Sequence, residues 1–408
     1  MPDTVIVCMR TTPRISSDDK TTAYMQRFRT ALRSMGDSEE DKYIRHYAGL
    51  MTVSQKRGTG ISQVLLSGQK ISSTEPKSET WEPVARLNLS DRNLLCMSVK
   101  GDEVVVGGTD HSLRVVSTAN QVLRLKRELH SKQCGHADWV TTVDHLSDGR
   151  IVSGGMDSKL CLWTGVRCRD LLGHAGSISR VKVASSPHII SSSYDRSIKV
   201  WDIASGQAIL TLQGHTGAIL DFVFCNLAQV VTASRDSTVR LWDIHVGKPF
   251  ATFSGHKGHV SAITKIEGSL VATGGQDATV ILWDLRQQDP GVKRKLFAPG
   301  AAVSNLVATP SELVAAGADG TTAVLSVAKS FSTVSSWGGD HDKFIYTLGT
   351  FGKDTVVTGG DDGTIAVRTT SGILRKKVKL DDNAVRAIDM TPDGHLVTIS
   401  DDGNLVLI

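Results

Sequence analysis

Short apolar runs separated by turn residues dominate the middle of the chain. Between residues 214 and 244, three such runs are rich in β-branched residues and bounded by Gly, Asn, Asp or Ser: AILDFVF (218–224), QVVTAS (229–234) and TVRLWDI (238–244). Runs of this kind are typical of β-strands. The residues between the last two runs predict a hairpin turn in which Asp236 accepts hydrogen bonds from nearby backbone. The pattern therefore predicts a small antiparallel sheet.

The same arrangement recurs four times in succession. A Gly-His pair opens each unit, and a Trp follows the His by 27 residues every time, as His136/Trp163, His174/Trp201, His215/Trp242 and His256/Trp283. A constant spacing with variable residues between the fixed points indicates a repeated supersecondary unit rather than an isolated motif.

These units resemble WD repeats, each of which supplies one four-stranded blade of a β-propeller. The resemblance implies an all-β, WD40-type propeller. The turn aspartate recurs at eight places, which are Asp110, Asp157, Asp195, Asp236, Asp277, Asp319, Asp362 and Asp402. The strand positions that match the Trp are Val116, Trp163, Trp201, Trp242, Trp283, Leu325, Arg368 and Ile408. We therefore expect eight blades. Seven blades stay open as the alternative, in which the first unit packs differently because it lacks the His, the hydroxyl residue and the Trp.

The resemblance also implies a hydrogen-bonded relay of His, Ser or Thr, Asp and Trp inside each complete unit. The four sets are His136/Ser153/Asp157/Trp163, His174/Ser191/Asp195/Trp201, His215/Thr232/Asp236/Trp242 and His256/Thr273/Asp277/Trp283. Deleting one partner would leave a buried polar group unsatisfied, at a cost of roughly 1–3 kcal/mol. We therefore expect these residues to be structural and not catalytic.

The first 80 residues do not share the repeat. Apolar residues at helical spacing in 24–35 and 43–53, with Gly36 between them, predict a helical hairpin within residues 1–54. This segment is expected either to cap the propeller or to dock a partner or dimerise. Residues 55–80 read as a linker, and 81–408 as the propeller. The family resemblance implies that an N-terminal strand at 83–89 completes the last blade and closes the ring.

Composition narrows the classes of partner. The apolar runs have strand length, so we expect no transmembrane helix and no membrane partner. Residues 1–80 hold 12 Lys and Arg against 9 Asp and Glu, and the remainder holds 34 against 33, so a broad nucleic-acid footprint is not indicated. The six cysteines form no CxxC pair. Together these features predict an intracellular protein of the cytoplasm, the nucleus or both.

Candidate chemistry is sparse. The Gly-rich strings, such as residues 359–363 (GGDDG), recur at tight turns with no helix after them, so they lack the geometry that cradles phosphate. His256 and His259 have no third ligand nearby in the sequence, which argues against zinc. We therefore expect no catalytic site, no metal and no cofactor.

One set of side chains is expected at the narrow face around the central channel. In the family, the residue before the turn aspartate and the residue three after the His point there. Trp, Tyr and Arg dominate binding hot spots, and the candidates for a partner-binding face are Trp139, Tyr194, Arg235 and Gln276.

The predicted function is a non-catalytic protein–protein interaction scaffold or adaptor in a multiprotein complex. The sequence leaves three alternatives open. The first is a substrate receptor of a ubiquitin ligase that reads a phosphorylated peptide with Arg180, Arg235 and Arg240. The others are a ribonucleoprotein or ribosome-assembly subunit and a ciliary or cytoskeletal assembly subunit. Fold alone does not choose between them.

Overall fold

The computed structural model describes residues 71–72, 81–130, 134–185, 188–226, 228–244, 246–286, 294–297, 301–342 and 344–408. The predicted helical hairpin lies outside these residues, so it and the boundaries at 54 and 80 stay predictions. Within the described ranges, no helix is long and apolar enough to cross a membrane.

In the described ranges, eight blades of four antiparallel strands make up the fold, with a 3₁₀ turn at Ala119–Gln121. Two short strands precede the first complete sheet, β1 (Ile71–Ser72) and β2 (Ala85–Asn88). Blades 1 to 4 are β3–β6 (Leu94–Lys100, Glu103–Gly108, Leu113–Ser117, Arg124–Leu129), β7–β10 (Val140–His145, Ile151–Gly155, Leu160–Thr164, Arg167–Leu171), β11–β14 (Ile178–Ser185, His188–Ser193, Ser197–Asp202, Ala208–Gln213) and β15–β18 (Ile219–Phe224, Gln229–Ser234, Thr238–Asp243, Pro249–Ser254).

The later blades follow the same order. Blades 5 to 7 are β19–β22 (Val260–Lys265, Leu270–Gly275, Val280–Asp284, Arg294–Phe297), β23–β26 (Val303–Ala308, Glu312–Gly317, Thr322–Ser326, Ser332–Trp337) and β27–β30 (Ile345–Phe351, Thr355–Gly360, Thr364–Thr369, Leu374–Lys379). Blade 8 combines β31–β33 (Val385–Met390, Leu396–Ser400, Asn404–Leu407) with β2. The prediction of an all-β propeller with eight blades, rather than seven, is confirmed.

The strand composition follows from where each strand lies. The second strand of a blade is paired with a strand on each side, and both of its faces are covered by the neighbouring blades. For this reason β16 is buried from Val230 to Ser234. This explains why the strand has small and β-branched residues on both faces and lacks the alternation of apolar and charged residues seen in half-exposed strands. The fourth strand is the outer edge, and β18 alternates between more and less exposed residues, as expected for a strand with one wet face.

The ring closes by strand pairing between the two ends of the described propeller. β2 runs antiparallel to β33, with Ala85 opposite Leu407 and Asn88 opposite Asn404. β2 falls inside the segment 83–89. β1 adds in parallel to the inner strand of blade 7, with Ile71 opposite Thr350. Blade 8 is therefore completed by a strand from the other end of the chain.

The hydrophobic core is divided among the eight interfaces between neighbouring blades. Each cluster joins the faces of two consecutive sheets; for example, Phe222 and Trp242 of blade 4 pack with Ile190 and Val200 of blade 3. The interface between blades 8 and 1 is built in the same way, so no blade lacks two packed neighbours. Because burial of apolar area is the main favourable contribution to folding, the stability of each blade depends on both neighbours.

Candidate functional site

The complete units bring their four polar side chains together in the blade. In blade 4, the Trp242 Nε1–H donates to the Thr232 hydroxyl over 2.9 Å, and that oxygen lies 2.7 Å from the His215 Nε2. The His215 Nδ1 lies 2.7 Å from the Asp236 carboxylate. Because a carboxylate can only accept, the imidazole proton is placed on Nδ1, and the Thr232 hydroxyl donates to Nε2. The relay thus runs from the Trp in the core to the turn aspartate.

The same three contacts recur in the neighbouring blades. The Trp-to-hydroxyl, hydroxyl-to-His and His-to-Asp distances are 3.0, 2.8 and 3.0 Å for His136, Ser153, Asp157 and Trp163. They are 2.8, 2.8 and 2.6 Å for His174, Ser191, Asp195 and Trp201, and 2.7, 2.8 and 3.0 Å for His256, Thr273, Asp277 and Trp283. All four Trp side chains are fully buried, so each relay is committed to the interior of its blade.

Burial and hydrogen bonding shift the pKa values of this relay. Burial lowers the pKa of His215 and His256, against the opposing effect of the adjacent aspartates. Burial alone would raise the pKa of Asp236, but hydrogen bonds from His215 and Thr238 outweigh it and hold that pKa well below its usual range. The neutral imidazole and the charged carboxylate are therefore the favoured pair.

These shifts predict that stability falls as the pH falls. Because the folded pKa values of His215 and His256 lie below the unfolded value of about 6.5, the unfolded chain takes up protons first as the pH drops below that value. Each such group contributes a slope of up to about 1.4 kcal/mol per pH unit. We expect the free energy of unfolding, measured in urea, to be level above pH 7 and to decline below about 6.5.

A second decline is expected below about pH 4, where the relay aspartates of the unfolded chain become protonated. The variant His215→Gln should make the first decline shallower, because His256 still contributes, whereas exposed His130→Gln should leave it unchanged. A wild-type free energy that does not vary between pH 7 and 5 would contradict this account.

The relay of blade 7 has an ion pair in place of its Trp. His341 and Thr358 are joined over 2.7 Å as in the complete units. At the position that matches Trp, Arg368 binds the buried Asp340 through two nitrogens, at 2.5 and 2.7 Å. Its guanidinium also lies 5.3 Å from the centre of the Trp337 ring. A paired charge therefore fills the place of the missing indole.

Each blade ends its inner strand pair with the same backbone bond. The donor precedes the turn aspartate, and the acceptor is the residue before the inner strand begins. The eight pairs are Thr109/Asn93, Met156/Trp139, Tyr194/Ser177, Arg235/Ala218, Gln276/His259, Ala318/Ala302, Asp361/Phe344 and Asp401/Ala384, with N···O distances of 2.8–2.9 Å. We call the surface formed by these sixteen residues the top face.

Large side chains of the top face are concentrated in blades 2 to 4. Trp139, Met156 and Tyr194 are 45%, 41% and 44% exposed. The Arg235 guanidinium lies 5.0 Å from the centre of the Tyr194 ring, and the Ser177 hydroxyl bridges to the Met156 carbonyl over 3.1 Å. The structure thus links Tyr194 to Arg235 and joins the Trp139 blade to the Tyr194 blade.

Gln276 is also exposed at the top face, in blade 5, but no contact joins its side chain to Arg235 among the described interactions.

The three arginines considered for a phosphate pocket have separate surroundings. The Arg180 guanidinium pairs with Asp221 at 3.2 Å, Arg235 stacks on Tyr194, and Arg240 lies against Gly214.

A second cluster of aromatic residues and an arginine, which the sequence motifs do not predict, lies in blades 7 and 8. The Phe344 and Tyr346 rings are 4.7 Å apart. Arg386 lies 4.0 Å from the Tyr346 ring centre and forms two hydrogen bonds of 2.7 and 2.6 Å with Asp401. The position of Phe344 could be predicted from the sequence, because it follows His341 by three residues. Tyr346 and Arg386 sit at strand irregularities that no spacing rule reveals.

One group of described side chains has the donors and spacing to hold a metal ion: Cys134, Cys168 and Asp170 of blade 2. No metal site is expected from the sequence, because no motif in it associates these three residues with each other.

Comparison with known proteins gives four consecutive family matches. The family described as "WD domain, G-beta repeat" matches residues 127–164, 165–202, 206–243 and 247–284. Each match covers the outer strand of one blade and the three inner strands of the next. The matched stretches are those that carry the four complete relays.

Curated relatives match over short stretches. Apoptotic protease-activating factor 1 of Danio rerio is 28% identical over 123 residues, 29% of this chain and 9% of that protein. Ribosome biogenesis protein YTM1 of Coccidioides immitis is 33% identical over 97 residues, 21% of each. The matches span between 4% and 22% of the length of the first three curated relatives.

Solved structures match over most of the propeller. The computationally designed Ika8 protein has a TM-score of 0.71 and 25% identity, covering 80% of this chain and 99% of that one. The WD40 β-propeller domain of Doa1 has a TM-score of 0.54 and 19% identity, covering 80% and 95%. The Doa1 likeness concerns the fold alone.

Proposed function

Because the chain is a WD-repeat β-propeller protein, we propose that it is a non-catalytic interaction scaffold that binds a protein partner through the top face of blades 2 to 4. Propellers of this family are generally interaction scaffolds without catalysis. The observation that carries the proposal is the row of exposed Trp139, Met156 and Tyr194 with Arg235 stacked on Tyr194.

The chemistry of this row favours a protein partner. Trp, Tyr and Arg are enriched among the residues that supply most of the energy at protein interfaces. Trp and Tyr bury a large area while ordering few rotatable bonds, and Arg adds a planar set of hydrogen-bond donors. An exposed apolar side chain on its own needs no explanation. Here Trp139 and Met156 occupy both top-face positions of blade 2 and Tyr194 occupies one of blade 3, whereas both positions of blade 6 are alanines, Ala302 and Ala318. The exposed large apolar residues of the top face are thus in blades 2 and 3, whereas Phe344 of blade 7 is partly buried.

The scaffold proposal predicts that the triple variant Trp139→Ala/Tyr194→Ala/Arg235→Ala keeps its fold and loses its partner. Removing hot-spot residues costs about 2 kcal/mol or more, which is at least roughly 30-fold in affinity. The measurement is affinity purification with quantitative mass spectrometry, followed by titration calorimetry with each recovered protein. The matched control is Ile209→Ala/Phe250→Ala, which removes exposed apolar residues from the outer strands of blades 3 and 4.

Partners that bind the triple variant but not the Ile209→Ala/Phe250→Ala control would place the binding surface elsewhere and contradict the proposal.

A second candidate function is assembly of a ribosomal particle. It is supported by relatives named as ribosome biogenesis proteins, YTM1 and the WDR12 homolog of Dictyostelium discoideum. Recovery of ribosomal assembly proteins by the wild type, and not by the triple variant, would identify that role.

A further inference from the structure

Three of the five described cysteines gather on one face of blade 2. In the β9–β10 pairing, Cys161 lies opposite Asp170 and Cys168 opposite Trp163, so all four side chains share that face. Cys134, just before His136, reaches the same place, and its Sγ lies 3.3 Å from the Cys168 carbonyl. The other two cysteines, Cys96 and Cys225, lie in blades 1 and 4. The clustering therefore comes from the fold of one blade.

The donor atoms converge on a single point. A carboxylate oxygen of Asp170 and the Sγ atoms of Cys134 and Cys168 all lie within 4.8 Å of one another. The Asp170 Oδ1 is 3.4 Å from the Cys168 Sγ and 3.5 Å from the Cys161 Sγ. A tetrahedral zinc ion with bonds of about 2.3 Å to sulfur needs its thiolates about 3.8 Å apart. Small rotamer adjustments would bring the three ligands to that separation.

The same place is occupied differently in the complete blades that follow. The residue that matches Cys161 is Lys199 in blade 3 and Arg240 in blade 4. The Lys199 ammonium binds the Thr211 hydroxyl at 2.8 Å, and the Arg240 chain covers Gly214. In blade 5 the matching residue is Ile281. Among the four complete units, blade 2 alone therefore has a cysteine at this position, next to further sulfur and oxygen donors.

We propose that Cys134, Cys168 and Asp170 bind a zinc ion, with a water molecule as the fourth ligand. Binding releases the thiol protons of Cys134 and Cys168 to solvent. Two thiolates and one carboxylate carry three negative charges, and Zn²⁺ with the Lys159 ammonium carries three positive charges. Lys159 already lies 2.8 Å from the other Asp170 oxygen, Oδ2, so it holds the carboxylate while Oδ1 faces the thiols. Borderline-soft Zn²⁺ suits such a mixed set of sulfur and oxygen ligands.

The experiment titrates the untagged full chain, reduced and freed of metal, with Zn²⁺ against a chromophoric chelator and with Co²⁺ in an absorption cell. We expect one Zn²⁺ per chain, a sulfur-to-cobalt charge-transfer band, and a zinc-dependent rise in Tm. Replacement of a partner outside the ligand shell typically costs 10–100-fold in affinity. Cys134→Ser and Cys168→Ser should therefore each weaken zinc binding by about 100-fold or more. The matched control is Cys225→Ser. The Cys225 thiol lies in blade 4, and burial raises its pKa to about 12.

Three results would overturn the proposal. The first is zinc affinity that is the same in wild type, Cys134→Ser and Cys168→Ser. The second is a cobalt spectrum without the charge-transfer band, because thiolates would then not be ligands. The third is zinc binding that Cys225→Ser removes as fully as Cys168→Ser. Circular dichroism and the metal-free Tm of each variant separate loss of the site from loss of the fold.

Discussion

Replacing Trp242 with alanine is expected to lower the free energy of unfolding by about 4–5 kcal/mol. Truncation of a buried aromatic residue typically costs about 3–5 kcal/mol, and Trp242 is fully buried among blade 3 and blade 4 side chains. The substitution also removes the donor to the Thr232 hydroxyl, which disturbs its bond to His215. The measurement is equilibrium urea unfolding followed by circular dichroism.

Two further variants separate packing from hydrogen bonding. Trp242→Phe keeps an aromatic ring but lacks the Nε1–H, so it should cost about 1–2 kcal/mol. The matched control is Trp139→Ala, because Trp139 is 45% exposed on the top face. Surface substitutions of this kind are usually within about 0.5 kcal/mol of neutral. Equal losses for Trp242→Ala and Trp139→Ala would refute the assignment of the relay as internal structure.

The variant Gly403→Ala is expected to destabilise the closed ring by roughly 3–4 kcal/mol. Gly403 has φ +75°, which costs other residues about 1–2 kcal/mol. Its added Cβ would lie 1.8 Å from the Ser90 carbonyl oxygen, so the backbone must move. That movement would disturb the bonds from the Leu89 and Ser90 N–H groups to the Gly403 carbonyl, 2.8 and 3.4 Å long. Each is worth about 1 kcal/mol.

Gly101→Ala is the matched control for this prediction. Gly101 has φ +61°, but no atom lies within 4 Å of the Cβ that alanine would add. It should therefore show only the conformational cost of about 1–2 kcal/mol. Urea unfolding gives the free energies, and limited proteolysis reports whether β2 separates from blade 8. If Gly403→Ala and Gly101→Ala are equally stable, close contact at Gly403 does not hold the ring closed.

The repeat was predictable from sequence because hairpin register turns spatial contacts into fixed offsets. In blade 4, strand pairing places Val230 opposite Trp242 and Thr232 opposite Arg240. The same register in each complete unit fixes the Trp ten residues after its hydroxyl partner. The number of blades followed from the turn aspartates, even where the Trp had been replaced.

Contacts that depend on two unrelated positions escaped the sequence analysis. The pairing of Arg368 with Asp340 joins residues 28 apart, and neither residue alone signals the other. The cysteines form no CxxC pair that would signal a site, although the sheet brings Cys134 within reach of Cys168, which is 34 residues later. Arg386 and Tyr346 meet only because blades 7 and 8 are neighbours. Each case needs the three-dimensional register of a sheet or of the ring.

The pairing of β2 with β33 delays closure of the ring until the last blade has been synthesised. Asn88 and Asn404 are 316 residues apart. At a translation rate of about 5–20 residues per second, β2 leaves the ribosome roughly 15–60 s before its partner strand is made. During that interval the nascent chain carries a strand with an unpaired edge and the first blade with one uncovered face. Such surfaces attract chaperones and other nascent chains, so we expect misassembly to be most frequent before the last blade pairs with β2.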